Sequence, residues 1–178
     1  LYTHQKKLKL VMPCKGDEYV INEYLVYKLY QKITPYSFKA RLVQVTFIDI
    51  KSDKLRKPFY GILLEDEDEM ADRNHMIIVN KKIQPNHIPS KHFHTMAIFE
   101  YMIGNTDWSV QYLQNIKLIA KDSLSPAFSV PYDFDHAGIV RAPYALPAPE
   151  LQLSSTRDRR YRGYCQPVMS VFDESIKI

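Results

Sequence analysis

The sequence contains few of the residues that mark specialised protein classes. Its 178 residues include 5 glycines and 2 cysteines. No apolar run approaches the roughly 18 residues that a membrane-spanning helix needs, and no signal peptide is recognisable. The net charge of +4 is spread along the chain and forms no concentrated basic stripe of the kind that binds nucleic acid. We therefore predict one domain or two small lobes with an ordinary core, without a membrane span or a nucleic-acid partner.

The cysteines and the first residue leave the cellular compartment open. Cys14 and Cys165 are far apart and could be two reduced thiols or one long-range disulfide, and neither has metal-ligand spacing. Because the chain begins with Leu1, we expect a processed or trimmed N-terminus. An extracytoplasmic location is one of the alternatives that this leaves open.

Hydrophobic periodicity predicts an α+β chain. Apolar residues recur at helical spacing in two segments, Asp17–Ile33 and His94–Asn105. Five segments are typical of strands: Lys6–Pro13, Ala40–Ile50, Phe59–Glu65, Asn115–Ala120 and Phe128–Asp135. The second and third of these strands are expected to form a hairpin. The order of all these helices and strands predicts a sheet-rich part over residues 1–66 and a helix-rich part over residues 67–178. The two parts are joined at the acidic run EDEDEMADR.

Several polar residues of the second part stand beside predicted strands. Asp107 follows the long helix, Asn115 begins a strand, and Asp133 and Asp135 end the next one. A hairpin would place Asn115 and Asp133 at adjacent strand ends. Carboxylates beside apolar strands are costly to bury unless they bind something. Asp and Asn side chains that hold Mg²⁺, with an Asp that orients an accepting hydroxyl, are what phosphoryl transfer requires of a protein.

Four segments carry a family resemblance: NTD at Asn105–Asp107, NIKLI from Asn115, PYDFD at Pro131–Asp135 and YGILLED at Tyr60–Asp66. In these segments the chain resembles the CotH-like kinases of bacterial spore coats and their relatives, from about Leu8 to Gly138. The resemblance implies a protein-kinase-like fold with a sheet-rich N-terminal lobe and a helix-rich C-terminal lobe. It also implies a Mg²⁺- and ATP-dependent phosphotransferase that acts on a hydroxyl, expected to belong to a protein.

The resemblance also implies roles for individual residues. Asp107 would be the catalytic base, and Asn115 and Asp133 the magnesium ligands. Asp135 stands where most kinases have the Gly of a DFG triplet, and would be a second ligand or a structural acid. The nucleotide site would use three residues: Lys9, with Lys7 as its competitor, Glu23 as the helix partner of that lysine, and Glu65 at the connector that contacts adenine through its backbone.

The chain departs from the family pattern in ways that keep other functions open. Asn115 follows Asp107 by eight residues, where most kinase-like families have five, so an insertion around WSVQYLQ is expected. There is no HRD triplet and no glycine-rich phosphate loop. The chain would then be a fragment without the first strands of the small lobe, or hold the nucleotide differently, or not hold it. A pseudokinase-type interaction or nucleotide-binding module is the first alternative. A metal-dependent phosphoesterase is the second.

Other candidates have ordinary interpretations. The basic run RDRRYR, Arg157–Arg162, is typical of a solvated surface. His92 and His94 would not share a face at a helix start, and Trp108 is expected in the core. His136 could touch a substrate or only pack.

Overall fold

In the computed structural model, residues 7–52, 54–164 and 170–176 are described. The helices are α1 (Asp17–Ile33), α2 (Glu67–Arg73), α3 (Ser90–Ile103) and α4 (Ser170–Ile176). The strands are β1 (Leu8–Val11), β2 (Ala40–Val45), β3 (Ile48–Asp49), β4 (Lys54–Leu55), β5 (Phe59–Glu65), β6 (Ile77–Ile78), β7 (Ile116–Ala120) and β8 (Phe128–Pro131). The predicted α+β class is confirmed, and none of these helices is long and apolar enough to cross a membrane.

The first half is an antiparallel sheet in the order β1-β5-β2, covered by α1. The central strand β5 is the most apolar, with Ile62 and Leu64 buried. Lys9 and Ala40 both lie opposite Leu64, one on each side of it. The apolar face of α1 packs on this sheet because its buried residues recur at helical spacing. The strand pairing thus places Lys9 on an outer strand, and the helix packing places α1 across the sheet.

The second half is built from α3 and a sheet in the order β6-β7-β8. The helix α3 packs against β8 and α4, and it ends at Gly104, whose left-handed backbone (φ 72°) suits glycine. Phe134 is fully buried and joins the halves, with its ring 4.9 Å from that of Tyr27 on α1 and 6.1 Å from that of Phe99 on α3. The chain just after β8 is therefore anchored on both halves.

The predicted elements agree with the structure except at particular boundaries. The helix over Asp17–Ile33 is confirmed, whereas α3 begins at Ser90, four residues before the predicted start. The single strand predicted over Ala40–Ile50 is wrong, because β2 ends at Val45 and the last part of the segment forms a separate strand, β3. The strand β3 pairs with β4, which lies in the polar segment before Phe59. The acidic connector forms α2, because the Asp66 side chain caps it by accepting from the Asp68 N–H.

The tail from Tyr161 to Ile178, for which the sequence favours helix or loop, contains α4. Cys14 is exposed, and Cys165 lies outside the described residues, so the choice between free thiols and a disulfide stays a prediction. The predicted boundary between residues 66 and 67 falls between β5 and α2.

A buried ion pair fastens the end of β5 to the end of α2. The Glu65 side chain is 2% exposed, and both of its oxygens accept from Arg73 at 3.0 Å. The Arg73 guanidinium also donates to the carbonyls of Pro35 and Ser37, and the Lys39 N–H donates to Glu65 at 2.8 Å. Glu65 is thus enclosed by donors, so removal of Arg73 would leave a buried carboxylate without its cation.

We therefore expect Arg73→Met to lower the free energy of unfolding by about 3 kcal/mol, measured by urea denaturation. Arg56→Met, which removes an exposed arginine with no side-chain hydrogen bond among the described residues, is the matched control and should change stability little. Equal effects of the two changes would show that the Glu65–Arg73 pair does not fasten these elements.

Candidate functional site

The loop between α3 and β7 folds back on itself and brings Asn115 to Asp107. Ser109 and Gln114 exchange backbone hydrogen bonds of 2.9 and 3.0 Å, so the residues between them form a tight turn. The Asn115 amide then donates to the Asp107 carboxylate at 3.0 Å and to the Asp107 carbonyl at 2.8 Å. The eight-residue spacing between Asp107 and Asn115 is therefore absorbed by a local hairpin, and the two side chains are in contact.

The β7–β8 hairpin places Asp133 beside the same loop. Ile116 lies opposite Pro131, and the Tyr132 N–H donates to the Asn115 carbonyl at 3.1 Å, so Asn115 and Asp133 occupy adjacent strand ends as expected. Asp133 has a left-handed backbone (φ 61°), which costs energy for a residue other than glycine. Its N–H donates to the hydroxyl of Tyr27 on α1 at 2.9 Å, which holds it in that conformation.

Three carboxylates meet where β8 approaches α1. Burial, followed by the charges of Asp133 and Asp135, raises the pKa of Glu23 to about 8. Burial, followed by Asp135, raises the pKa of Asp133, which the Asp107 charge also raises. Lys9 acts in the opposite sense on both Glu23 and Asp133. Burial is thus the main cause of both shifts, and the mutual repulsion of the acids adds to it.

Three side chains here offer oxygen atoms of the kind that a hard divalent cation prefers. Asp133 and Asp135 supply carboxylate oxygens, and Asn115 donates its amide N–H groups to Asp107, which leaves its Oδ1 for another partner. One oxygen of Glu23 is buried without a hydrogen-bond partner among the described residues. Within the same part of the chain, however, no three His, Cys, Asp or Glu side chains are arranged as a ready metal site. Mg²⁺ usually completes its shell with phosphate oxygens and waters, which suits so few protein ligands.

Lys9 joins these acids to a neighbouring cleft of about 280 Å³. The cleft is lined by Lys9 from β1, Leu64 and Asp66 from the β5–α2 junction, and Lys117 from β7, with the Tyr132 ring between the lysines. The Nζ atoms of Lys9 and Lys117 each lie 5.8 Å from the centre of that ring. Lys117 is ion-paired with Glu67, one of four acidic residues that also line the cleft, so Lys9 beside the Tyr132 ring is the cation available to a flat base that carries phosphates. Lys7 lines the same cleft.

Two of the expected nucleotide-site residues have specific surroundings. Glu23 is 2% exposed and feels the charge of Lys9, but the described residues contain no direct Lys9–Glu23 ion pair. Glu65 lines the cleft, yet its side chain is committed to Arg73 and its N–H to the Lys39 carbonyl at 2.9 Å. Its backbone N–H is therefore already used, and Glu65 bounds the cleft as part of a structural ion pair.

Arg162 is a contributor that the sequence pattern did not indicate. Its guanidinium donates to the carbonyls of Thr106 and Trp108, the latter at 2.8 Å, and lies 5.5 Å from the Trp108 ring centre. The prediction of a solvated run is therefore wrong for this arginine, because it is half-buried against the loop that carries Asp107. Trp108 is buried, as expected.

Beneath the same loop lies a second buried carboxyl group. Glu100 on α3 is fully buried, and neither oxygen has a well-formed hydrogen bond among the described residues. Burial raises its pKa to about 8 from 4.5, although the nearby Asn105 amide and Arg162 guanidinium lower it. Asn105 accepts from the Asp107 N–H at 2.9 Å. Glu100 is thus expected to be largely protonated at neutral pH, under the start of the loop.

The three histidines considered in the sequence each contact a different partner. His92 bonds to the Ser129 carbonyl at 2.7 Å and His94 to the Tyr161 hydroxyl at 2.9 Å, so the two rings are turned to different partners. His136 lies 3.4 Å from the Leu146 carbonyl through Nδ1 and packs beside Tyr144.

We expect Arg162→Ala to destabilise the protein by roughly 2 kcal/mol, because two loop carbonyls lose a charged donor. The fluorescence of Trp108, the only tryptophan, should shift to the red as its ring becomes exposed. Arg160→Ala, at an exposed site two residues away, is the control. An unchanged emission spectrum and unchanged stability in Arg162→Ala would contradict the assigned contacts.

Glu100 should make stability depend on pH. The pKa of Glu100 is higher in the folded state (about 8) than in the unfolded chain (4.5). Its contribution to the free energy of unfolding is therefore fully present below pH 4.5 and is lost as the pH rises through about 8. Relative to Glu100→Gln, the native protein should therefore lose stability over that range, by at most about 1.4 kcal/mol per pH unit. Unfolding measured across this range tests it, with exposed Glu18→Gln as the control. Parallel profiles for the native protein and Glu100→Gln would refute the assignment.

No protein-family model, curated protein or solved structure matches this chain. The site is therefore defined by the chain's own residues: Asp107 and Asn115 in mutual contact, Asp133 at the adjacent strand end, and a cleft beside them that contains Lys9.

Proposed function

We propose that the chain is a Mg²⁺- and ATP-dependent phosphotransferase with a two-lobed, protein-kinase-like fold, acting on a hydroxyl group that we expect to belong to a protein. The observation that carries the proposal is the convergence of Asp107, Asn115 and Asp133 beside a cleft that shares Lys9. Residues separated by more than a hundred positions, Lys9 and Asp133, affect each other electrostatically. Such a convergence of acids, an amide and a lysine is what phosphoryl transfer uses.

The chain order of the elements supports the kinase-like fold. A strand with the lysine, a helix with a buried glutamate and four further strands, of which β2 and β5 join the sheet, precede a connector, a long helix, a polar loop and a strand hairpin. The sheet order β1-β5-β2 places the lysine strand next to the strand that leads to the connector. Phe134, between Asp133 and Asp135, packs against both the first helix and the long helix. Each of these relations is expected of the family that the motifs resemble.

Asp107 would act on the acceptor, and its surroundings support that role. Its carboxylate receives hydrogen bonds from the Gln114 and Asn115 amides, one at each oxygen. Each oxygen keeps a further lone pair, so an incoming hydroxyl can still donate to it. Asp107 also lines a second cavity, of about 530 Å³, together with Ser109, Tyr112 and Arg162. We assign the acceptor to this cavity, where Asp107 would orient the hydroxyl and take its proton.

The nucleotide would occupy the Lys9 cleft. Tyr132, packed on the buried Phe38 with ring centres 5.6 Å apart, provides aromatic surface for a base, and Lys9 would face the phosphates, while Lys117 is ion-paired with Glu67. Asp133, Asn115 and Asp135 would hold Mg²⁺, which supplies neutralising charge to the phosphates. The protein's part is to position these groups and to hold the acids close together, although burial disfavours their charged forms.

The alternative is a nucleotide-binding or interaction module without transfer. The missing Lys9–Glu23 contact favours it, because that pair is one of the parts expected of an active kinase. Binding and transfer therefore have to be measured separately.

Calorimetric titration of ATP with and without Mg²⁺ tests the proposal. We expect magnesium-dependent binding by the native chain, its loss in Asp133→Ala, and its retention in Asp107→Ala, which should lose only transfer of the γ-phosphate to the chain itself or to water. Asp122→Ala is the matched control, since Asp122 lies in the turn at the opposite end of the β7–β8 hairpin.

Circular dichroism and the Trp108 emission identify variants that fail to fold. Binding without transfer in the native chain would favour the non-catalytic module. Absence of binding in the native chain, or equal binding in Asp133→Ala, would refute the nucleotide site.

A further inference from the structure

Three arginines converge on a cavity that lies apart from the nucleotide cleft. The cavity has a volume of about 200 Å³ and is lined by Gly138, Ile139, Arg141, Arg157 and Arg159. The first three of these residues follow the DFD triplet, and the others belong to the C-terminal segment that leads to Arg162. No residue that lines it also lines the Lys9 cleft or the Asp107 cavity.

Among the described residues, no acidic side chain lines the cavity beside the three guanidinium groups. None of the three arginines takes part in an ion pair with another described residue. Asp158, the one acid in the same run, points its Oδ2 at the Ser155 N–H at 2.9 Å and does not line the cavity. All three arginines are exposed, so solvent screens part of their mutual repulsion, and an anion bound among them would remove more of it.

The surrounding backbone holds the arginines in place. The Arg159 Nε donates to the Met102 carbonyl at 3.1 Å, which fixes that side chain to the end of α3. Arg141 has a left-handed backbone (φ 63°), a conformation that is costly for arginine and is concentrated at functional sites. A Cβ built on Gly138 would lie 2.2 Å from the Thr156 carbonyl oxygen, so only glycine allows the two segments to meet this closely. The cavity is thus formed by two closely packed segments.

Arginine is suited to phosphate because its planar fork donates two parallel hydrogen bonds to neighbouring oxygens. We propose that Arg141, Arg157 and Arg159 form a binding site for a phosphate group, either free inorganic phosphate or a phosphate carried on a peptide side chain. The site is independent of the proposed phosphotransferase activity. Because Gly138 donates to the Gly104 carbonyl at 3.1 Å, an anion here would bind directly behind the start of the Asp107 loop.

The test is thermal unfolding in sodium phosphate compared with sodium chloride of equal ionic strength. A ligand that binds only the folded state raises the Tm with its concentration. We expect phosphate to raise the Tm of the native chain, and Arg157→Gln and Arg141→Gln each to weaken the apparent affinity about tenfold or more. Comparing the two salts within each variant separates binding from any change in intrinsic stability.

Two controls make the result specific. Arg160→Gln removes the same charge from the same run at a residue that does not line the cavity, and should keep the phosphate effect. Lys121→Gln, at an exposed lysine that lines none of the three cavities, should keep it as well. A phosphate effect that survives in Arg157→Gln and Arg141→Gln, that is lost in Lys121→Gln instead, or that is absent from the native chain would overturn the proposal.

Titration with a phosphoserine peptide and its unphosphorylated counterpart distinguishes the two sources of phosphate. Tighter binding of the phosphopeptide than of inorganic phosphate, lost in Arg157→Gln, would assign the site to a phosphorylated side chain. Equal or weaker binding would assign it to the free anion. In both cases the unphosphorylated peptide should not bind at the arginines, and its binding there would contradict a phosphate site.

Discussion

The hydrogen bonds from the Asn115 amide to Asp107 are the contacts on which the site depends. They close the loop after α3, so that β7 begins beside the carboxylate that the loop carries. Because β7 pairs with β8, the end of β8 and its Asp133 are brought to the same place. Phe134 then anchors this junction on α1, which in turn packs on β5, the strand that pairs with the strand of Lys9. The Asn115 amide therefore helps to position the polar groups of both halves, Asp107 and Asp133 in the second half and Lys9 in the first.

Around this contact the protein keeps ionisable groups where burial is costly. Glu23 and Glu100 are both buried, and burial raises the pKa of each to about 8. The two glutamates have different neighbours: Glu23 feels the charges of the acids of the DFD triplet, whereas Glu100 interacts with the Asn105 side chain. Ionisable groups with pKa values perturbed in this way are concentrated at functional sites. Arg162 shows the same feature with opposite charge, since it is half-buried against the loop backbone.

Much of the fold could be predicted because its signals are local. The helix over Asp17–Ile33 follows from spacing alone, and the adjacency of Asn115 and Asp133 follows from a hairpin. The contact between Asp107 and Asn115 could not be predicted, because it depends on the Ser109–Gln114 turn, which has no glycine or proline to mark it. Arg162 looked like part of a charged surface, since its partners are backbone carbonyls more than fifty residues away. Long-range contacts to backbone leave no pattern in a single sequence.

The most direct measurement of the central claim is anomalous diffraction from crystals grown with Mn²⁺ and a non-hydrolysable ATP analogue. Manganese takes the same oxygen ligands as magnesium and can be located by its anomalous signal. The account predicts a peak between Asp133 and Asn115, with the base of the nucleotide against Tyr132 in the Lys9 cleft. Manganese bound elsewhere, or a nucleotide outside that cleft, would contradict the proposed site.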